Sequence, residues 1–295
     1  MSVWRPLERG EPIGVVALSG PVDPARLEGG LEVLRSWGNP IELASNLHAR
    51  KSYLAGSDEA RLSGLNELLD LGVRTFIPAR GGYGVTRLMS RLPWQRLIAD
   101  EVRFVGFSDL TALLNPLASS VIQVHGPMAA AGLERPGNAH RLRELLLGRL
   151  VGKALFDIPA EGVLRHGRAE GVVMGGNLSV LSTLVGTPWE PDFNDRVLLL
   201  EEVSEPPYRL DRLLTHLRSS ASFGGLKALI GGTLRACRPH TECLARWSEL
   251  LLESAPEGIP VIVGLPFGHG ARNMAFPVGA TVEIETRRGT VSWSV

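Results

Sequence analysis

The first part of the chain repeats one couplet: a short apolar run, a turn bearing glycine or proline, then leucines at helical spacing. Residues 13–18 form the first run and Ser19-Gly20-Pro21-Val22-Asp23-Pro24 the turn; Leu27, Leu31 and Leu34 then line one face of a helix that stops at Gly38. Residues 41–44 open a second couplet. Its helix starts at Ser57, carries Asp58 and Glu59 in the first turn and Leu62, Leu65, Leu68 and Leu69 on one face, and ends at Gly72. Residues 75–79 and 102–106 begin the third and fourth couplets, and residues 121–124 add another strand. Strands alternating with helices in this way specify an α/β fold, expected here as an N-terminal open, mostly parallel, doubly wound sheet.

Open α/β sheets bind ligands beyond the carboxyl ends of their strands. The third strand delivers Arg80-Gly81-Gly82-Tyr83-Gly84, whose glycines let backbone approach a ligand closely. The spacing is not that of a dinucleotide loop, because Arg87 stands where the third glycine would be, and no P-loop lysine follows. An oxyanion or substrate-carboxylate loop fits better. The fourth strand runs through Gly106 and Phe107 into Ser108, and Leu110, Leu113 and Leu114 begin a helix. A serine at such a corner is held clear of its own backbone, beside helix-start N–H groups able to stabilise an oxyanion. The pattern differs from G-x-S-x-G in having Leu110 where the second glycine would be, and a plain capping role for Ser108 competes with the nucleophilic one. Asn115-Pro116 is expected to interrupt the helix. His125, at the end of the next strand, is either a base for Ser108 or a packed histidine.

Residues 129–168 change character, with alanines, then arginines, prolines and one amphipathic helix around Leu142, Leu145 and Leu146. The expected organisation is an N-terminal domain over 1–128, a connection over 129–168, and a C-terminal mixed α/β domain over 169–295. The latter opens with a strand, a glycine turn at Gly175-Gly176 and a helix from Leu178. An apolar strand over 196–200 ends in Glu201 and Glu202; strand alternation lets only one of them face a site, leaving the other solvated or salt-bridged. An amphipathic helix follows over 207–217, where Arg209 could meet a substrate carboxylate. Further strands over 228–234 and 261–264 are separated by a helix from Cys243 to Leu252. His269 stands between two glycines, an odd place for a packed histidine, and a loop hydrogen-bonding role is the alternative to chemistry. A hairpin over 281–285 and 291–295 turns around Arg287-Arg288-Gly289.

Composition narrows the partners. With 295 residues, 44% of them hydrophobic, the chain can bury two cores, and its 31 basic and 31 acidic residues leave no net charge to attract nucleic acid or an anionic membrane. Cys237 and Cys243 are too few for a disulfide framework or a zinc site. The N-terminus lacks a basic and then apolar leader, and no apolar stretch reaches membrane-spanning length, so a cytoplasmic location is expected.

Several motifs, in order and over nearly the whole chain, resemble the L,D-carboxypeptidases, the serine peptidase family of muramoyltetrapeptide carboxypeptidase and the microcin C self-immunity peptidase. They are Y-L-A-G-S-D-E at 53–59, R-G-G-Y-G at 80–84, G-F-S-D-L-T-A-L at 106–113 and H-G-P-M at 125–128. G-G-N-L at 175–178, G-T-P-W at 186–189, L-E-E-V-S-E-P-P-Y-R-L-D-R-L-L at 200–214 and G-H-G-x-x-N at 268–273 continue the series.

The resemblance implies a Ser–His–Glu triad in a cleft between two domains, with Ser108 as nucleophile, His269 as base and Glu201 orienting the base. It implies an oxyanion hole from the N–H groups of Asp109 and Gly82, no metal or other cofactor, and a homodimer. The implied reaction releases the terminal D-alanine of murein tetrapeptide, in cell-wall recycling, through an acyl-enzyme; the terminal carboxylate would fall to glycine-loop amides or Arg209. Glu202 stands where relatives usually have Asp, Phe107 where Tyr is frequent, and Leu114 where His often follows. Pro116 is a further departure; none of these touches the triad. The alternatives are a microcin C-type peptidase cleaving a peptidyl or aminoacyl nucleotide, and a non-catalytic murein-peptide-binding protein. The first would want an aromatic loop to stack a base, yet residues 129–168 offer only Phe156; the second would lack triad residues, and all three are present.

Overall fold

A computed structural model describes residues 2–294; the expected strand residue Val295 and the initial Met1 lie outside the described residues. The chain divides into two compact units, one of residues 1–149 with 274–276, the other of residues 150–273 with 277–295.

The first unit holds strands β1 (Ile13–Val15), β2 (Ile41–Leu43), β3 (Thr75–Phe76), β4 (Arg103–Gly106) and β5 (Gln123–His125). Their helices are α1 (Pro24–Arg35), α2 (Asp58–Asp70), α3 (Val85–Leu88), α4 (Trp94–Ala99), α5 (Thr111–Ala118) and α6 (Pro136–Leu146). Strands β2, β1, β3, β4 and β5 lie side by side in that order, each parallel to its neighbour. The order reverses direction at β1. Right-handed crossovers therefore put helices on both faces, and the loops leaving β1 and β3 part at the reversal, where such sheets open a binding crevice. The start signals act as their chemistry requires: Asp23 accepts from Arg26 N at 3.0 Å and Ser57 from Ala60 N at 3.2 Å, each satisfying a donor of a first turn. Leu62, Leu65, Leu68 and Leu69 of α2 are buried, as their spacing required, and Arg61 is buried with them.

Helix α5 runs through Pro116 to Ala118 instead of breaking at Asn115-Pro116. The Asn115 side chain donates to Thr111 O at 2.8 Å, satisfying a carbonyl of the first turn, and all but Pro116 of the eight helix residues are buried. Packing on both sides holds the proline inside the helix.

Among the described residues the second unit has eight strands: β6 (Ala154–Asp157), β7 (Val163–Arg165), β8 (Arg168–Asn177), β9 (Arg196–Val203), β10 (Ala228–Arg235), β11 (Val261–Ile262), β13 (Thr281–Glu285) and β14 (Thr290–Trp293). Strand β12 (Phe276–Val278) comes between β11 and β13 in the chain and joins the first unit's sheet beside β5. In the second sheet β8, β9, β10 and β11 are parallel, and antiparallel strands flank them, β13, β14 and β6 on one side and β7 on the other. Helices α7 (Leu178–Ser182), α8 (Pro207–Arg218) and α9 (His240–Ser254) connect them. Of the stretch 129–168, α6 belongs to the first unit and β6 and β7 to the second.

Gly175 and Gly176 form no turn: β8 continues through both to Asn177. A Cβ at Gly175 would stand 1.9 Å from Leu199 O, so the glycine lets β8 lie close against β9. Among the described residues no helix is long and apolar enough to cross a membrane.

Candidate functional site

In the first unit the site builds from three strand ends. Strand β4 is buried along its length and delivers Ser108 with φ of 60°, a left-handed conformation costly for a residue with a Cβ. The residues flanking the corner make room for it: a Cβ on Gly106 would come within 2.7 Å of Leu110 Cγ. The first turn after β4 is a 3₁₀ turn over Ser108–Leu110, and the Ser108 side chain caps neither this turn nor α5, so the capping role is not what holds it there. N–H groups at such a helix start have no intrahelical partner.

Gly81 of the β3 loop lies directly against the serine. A Cβ there would be 2.9 Å from Ser108 Cβ, 3.1 Å from Ser108 Oγ and 3.5 Å from Asp109 N. Gly82 has φ of 124° and lies against Gly20 of the β1 loop, whose N–H donates to Gly81 O at 3.3 Å. The Asp109 side chain is buried and turned into the unit, where Oδ2 accepts from Ser19 Oγ at 2.6 Å and from Val85 N at 2.9 Å. Burial raises its pKa above the ordinary carboxylate range, opposed by these hydrogen bonds.

In the second unit β9 ends in the two carboxylates. Glu201 is fully buried, and its Oε2 lies 2.6 Å from His269 Nδ1 and accepts the His269 N–H at 3.2 Å. The pairing fixes the Nδ1–H tautomer, so Nε2 carries the lone pair and can take a proton. The loop reaches Glu201 only because residue 268 is glycine: its φ is 100°, and a Cβ would stand 2.5 Å from Glu201 Oε2. Asn273 Oδ1 accepts the Gly268 N–H at 2.9 Å and Arg235 donates to His269 O at 3.1 Å, so the loop is pinned on both sides of the imidazole.

Glu202 is neither solvated nor salt-bridged, correcting the expectation for the second acid. It is 1% exposed and accepts from Asn177 Nδ2 at 2.9 Å, Val203 N at 2.7 Å, and Ser179 N and Oγ at 2.7 Å each. Alternation turns it to the opposite side of β9 from Glu201, where it meets the amino end of α7. Burial raises its pKa, with the nearby Glu201 adding to the shift.

Comparison with known proteins follows the same two-part division. The sequence matches the LD-carboxypeptidase N-terminal domain over residues 13–126 and the LD-carboxypeptidase C-terminal domain over residues 170–284. The chain belongs to the LD-carboxypeptidase family. It is thus a serine-type carboxypeptidase. The murein tetrapeptide carboxypeptidase of Pseudomonas aeruginosa is 34% identical over 97% of this chain and 96% of its own length. Among solved structures, the muramoyltetrapeptide carboxypeptidase from Oxalobacter formigenes superposes with a TM-score of 0.81 at 26% identity, covering 96% of this chain and all of that one (100%). MccF in complex with glutamyl sulfamoyl guanosine gives 0.87 at 22% identity, covering 98% and 97%, a likeness of fold.

The other candidates lie as follows. Arg209 is exposed on α8 and pairs with Glu205 at 3.2 Å. His125 is fully buried in the first sheet, its ring stacked on Phe276 at 4.5 Å between centroids, as a packed histidine would be. Sequence reasoning gave no role to Ser19 and Asn177, which donate to the side chains of Asp109 and Glu202, to Asn273, which accepts the Gly268 N–H, or to the buried Arg61. A signal for Arg61 existed: it falls four residues before Leu65 and seven before Leu68, on the apolar face of α2.

Proposed function

We propose that this LD-carboxypeptidase removes the terminal D-alanine from murein tetrapeptide, with Ser108 as nucleophile, His269 as base and Glu201 orienting the base. The observation that carries the reading is the Glu201–His269 pair: a fully buried carboxylate 2.6 Å from Nδ1 of an imidazole held on a pinned loop. Such a carboxylate fixes the tautomer and stabilises the imidazolium that forms when the base takes a proton. The name of the Pseudomonas aeruginosa relative supports the choice of substrate.

In this mechanism Ser108 Oγ attacks the carbonyl of the penultimate residue while His269 Nε2 takes the hydroxyl proton. The N–H groups of Asp109 and Gly82 stabilise the oxyanion. Collapse breaks the C–N bond, and the amino group of D-alanine leaves with the proton from His269. Water, deprotonated by the same imidazole, then attacks the acyl-enzyme, releasing the tripeptide and restoring Ser108. The substrate's terminal carboxylate would be met by the amides of the glycine loop or by Arg209. A cytoplasmic, recycling role and a homodimer complete the proposal.

The test is D-alanine and tripeptide release from purified murein tetrapeptide, followed by mass spectrometry for the native protein and Ser108→Ala. Release by the native protein that is lost in the variant supports the reading. No release by a folded native protein contradicts it, and cleavage of a peptidyl nucleotide instead would transfer the site to that substrate class.

A further inference from the structure

Arg61 is fully buried, with side-chain exposure of 0%, yet it lies on none of the roles assigned above. Its Nη1 donates to Leu18 O and, at 2.9 Å, to Gly84 O, and its Nη2 donates to Asp58 Oδ1 at 2.6 Å. Leu18 ends the run that leaves β1, and Gly84 ends the glycine loop that leaves β3. The Asp109 carboxylate holds the next residue of each: it accepts from Ser19 Oγ at 2.6 Å and from Val85 N at 2.9 Å. One buried guanidinium thus takes the carbonyls of residues 18 and 84, and one buried carboxyl group takes donors on residues 19 and 85. The two loops are clamped at adjacent positions by these two groups, and the carboxyl belongs to the residue after Ser108.

The loop is shaped to admit this cation. Gly84 has φ of 139°, and a Cβ there would stand 2.5 Å from Arg61 Nη1. A guanidinium suits the task, because its planar fork serves three acceptors at once and keeps its charge when buried; an ammonium on a flexible stem does neither.

We propose that Arg61 is a positioning residue: it sets the glycine loop of residues 80–84 against Ser108, so that the loop's amides stand where the oxyanion develops. This rests on the serine-peptidase reading given above. Because the loop geometry matters most when charge develops on the substrate, removing Arg61 should lower kcat much more than it raises KM.

The experiment measures D-alanine release from murein tetrapeptide, separated into kcat and KM, beside the rate at which an alkyl fluorophosphonate labels Ser108. The latter needs the serine and its oxyanion donors but no peptide recognition. The variants are Arg61→Met, Arg61→Lys and Asp58→Asn, with folding checked by a cooperative thermal transition. For Arg61→Met we expect kcat and the labelling rate to fall together by about 10- to 100-fold, with KM within about threefold of native. Arg61→Lys should fall between Arg61→Met and the native protein. If Arg61→Met does not fold, Asp58→Asn carries the test, since it removes the partly exposed counter-charge that Arg61 shares with the exposed Arg87 while leaving both guanidinium groups in place; a few-fold parallel loss in both rates is expected. Native kcat and native labelling in a folded variant, or a change confined to KM, would overturn the proposal. A native protein that neither labels nor releases D-alanine would instead sink the serine-peptidase reading, and this proposal with it.

Discussion

Ser108 sits at φ of 60°, which costs a residue with a Cβ about 1–3 kcal/mol, and Gly81 leaves no room for any side chain beside it. A serine at a strand-to-helix corner was legible because glycine, serine and a leucine series announce that corner in the sequence; its left-handed backbone was not. His269 stood out as a candidate for a similar reason: the position between two glycines is an odd place for a packed histidine. The structure adds the cause, which is that Gly268 brings the loop within reach of Glu201. The orienting role of Glu201 is the residue-scale claim with the sharpest consequence. Glu201→Gln keeps the shape but cannot stabilise an imidazolium and admits the wrong tautomer. We expect kcat to fall by about 10³- to 10⁴-fold with KM little changed. Stopped assays on the folded variant check this, and kcat within tenfold of native would remove Glu201 from the triad.

At the scale of elements, short apolar runs and period-3.6 spacing found most of the strands and helices but not β6, β7, β12 or α4, while burial defeated the finer readings. Gly175 looked like a turn because glycine usually punctuates, but here it admits Leu199 O of the adjacent strand. Glu202 looked like a surface charge because acids usually are; three donors at the start of α7 and the Val203 N–H of β9 make its burial tolerable. Glu202→Gln would turn an amide NH₂ toward some of those donors. It should cost about 1–3 kcal/mol in a urea or thermal unfolding measurement, while the Glu201–His269 pair stays intact. The ion pairs at the start of α2 give a pH signature. Arg87, and after it Arg61, hold the Asp58 carboxyl down to about 2. A carboxylate with a lowered folded-state pKa adds stability above its ordinary range and loses it as pH falls toward that lowered value. The native protein should therefore exceed Asp58→Asn in melting temperature at neutral pH, and the gap should close between about pH 4 and pH 2. A gap that persists at pH 2 would contradict the assignment.

For the whole molecule, composition and the change of character near residue 129 suggested a chain of more than one part, while the two compact units divide between residues 149 and 150. What no local pattern shows is that residues 274–276 return to the first unit and that β12 flanks β5. Long-range strand pairing leaves no periodicity of its own in a three-residue strand. The return has a consequence for dissection of the chain. Residues 1–149 produced alone would lack β12, expose β5 as an edge and uncover the face of His125 that stacks on Phe276. Size-exclusion chromatography should find that fragment associating or aggregating where the full chain elutes as a single species; a monodisperse, cooperatively melting fragment would show that β12 is dispensable.

The measurement that tests the central claim most directly is peptide mapping of the protein quenched in acid during turnover of murein tetrapeptide. A tripeptide acyl group should appear on the peptide containing Ser108, in the native protein and more strongly in variants slowed in deacylation, and should be absent from Ser108→Ala. An adduct on another residue, or D-alanine release by Ser108→Ala at the native rate, would contradict the account.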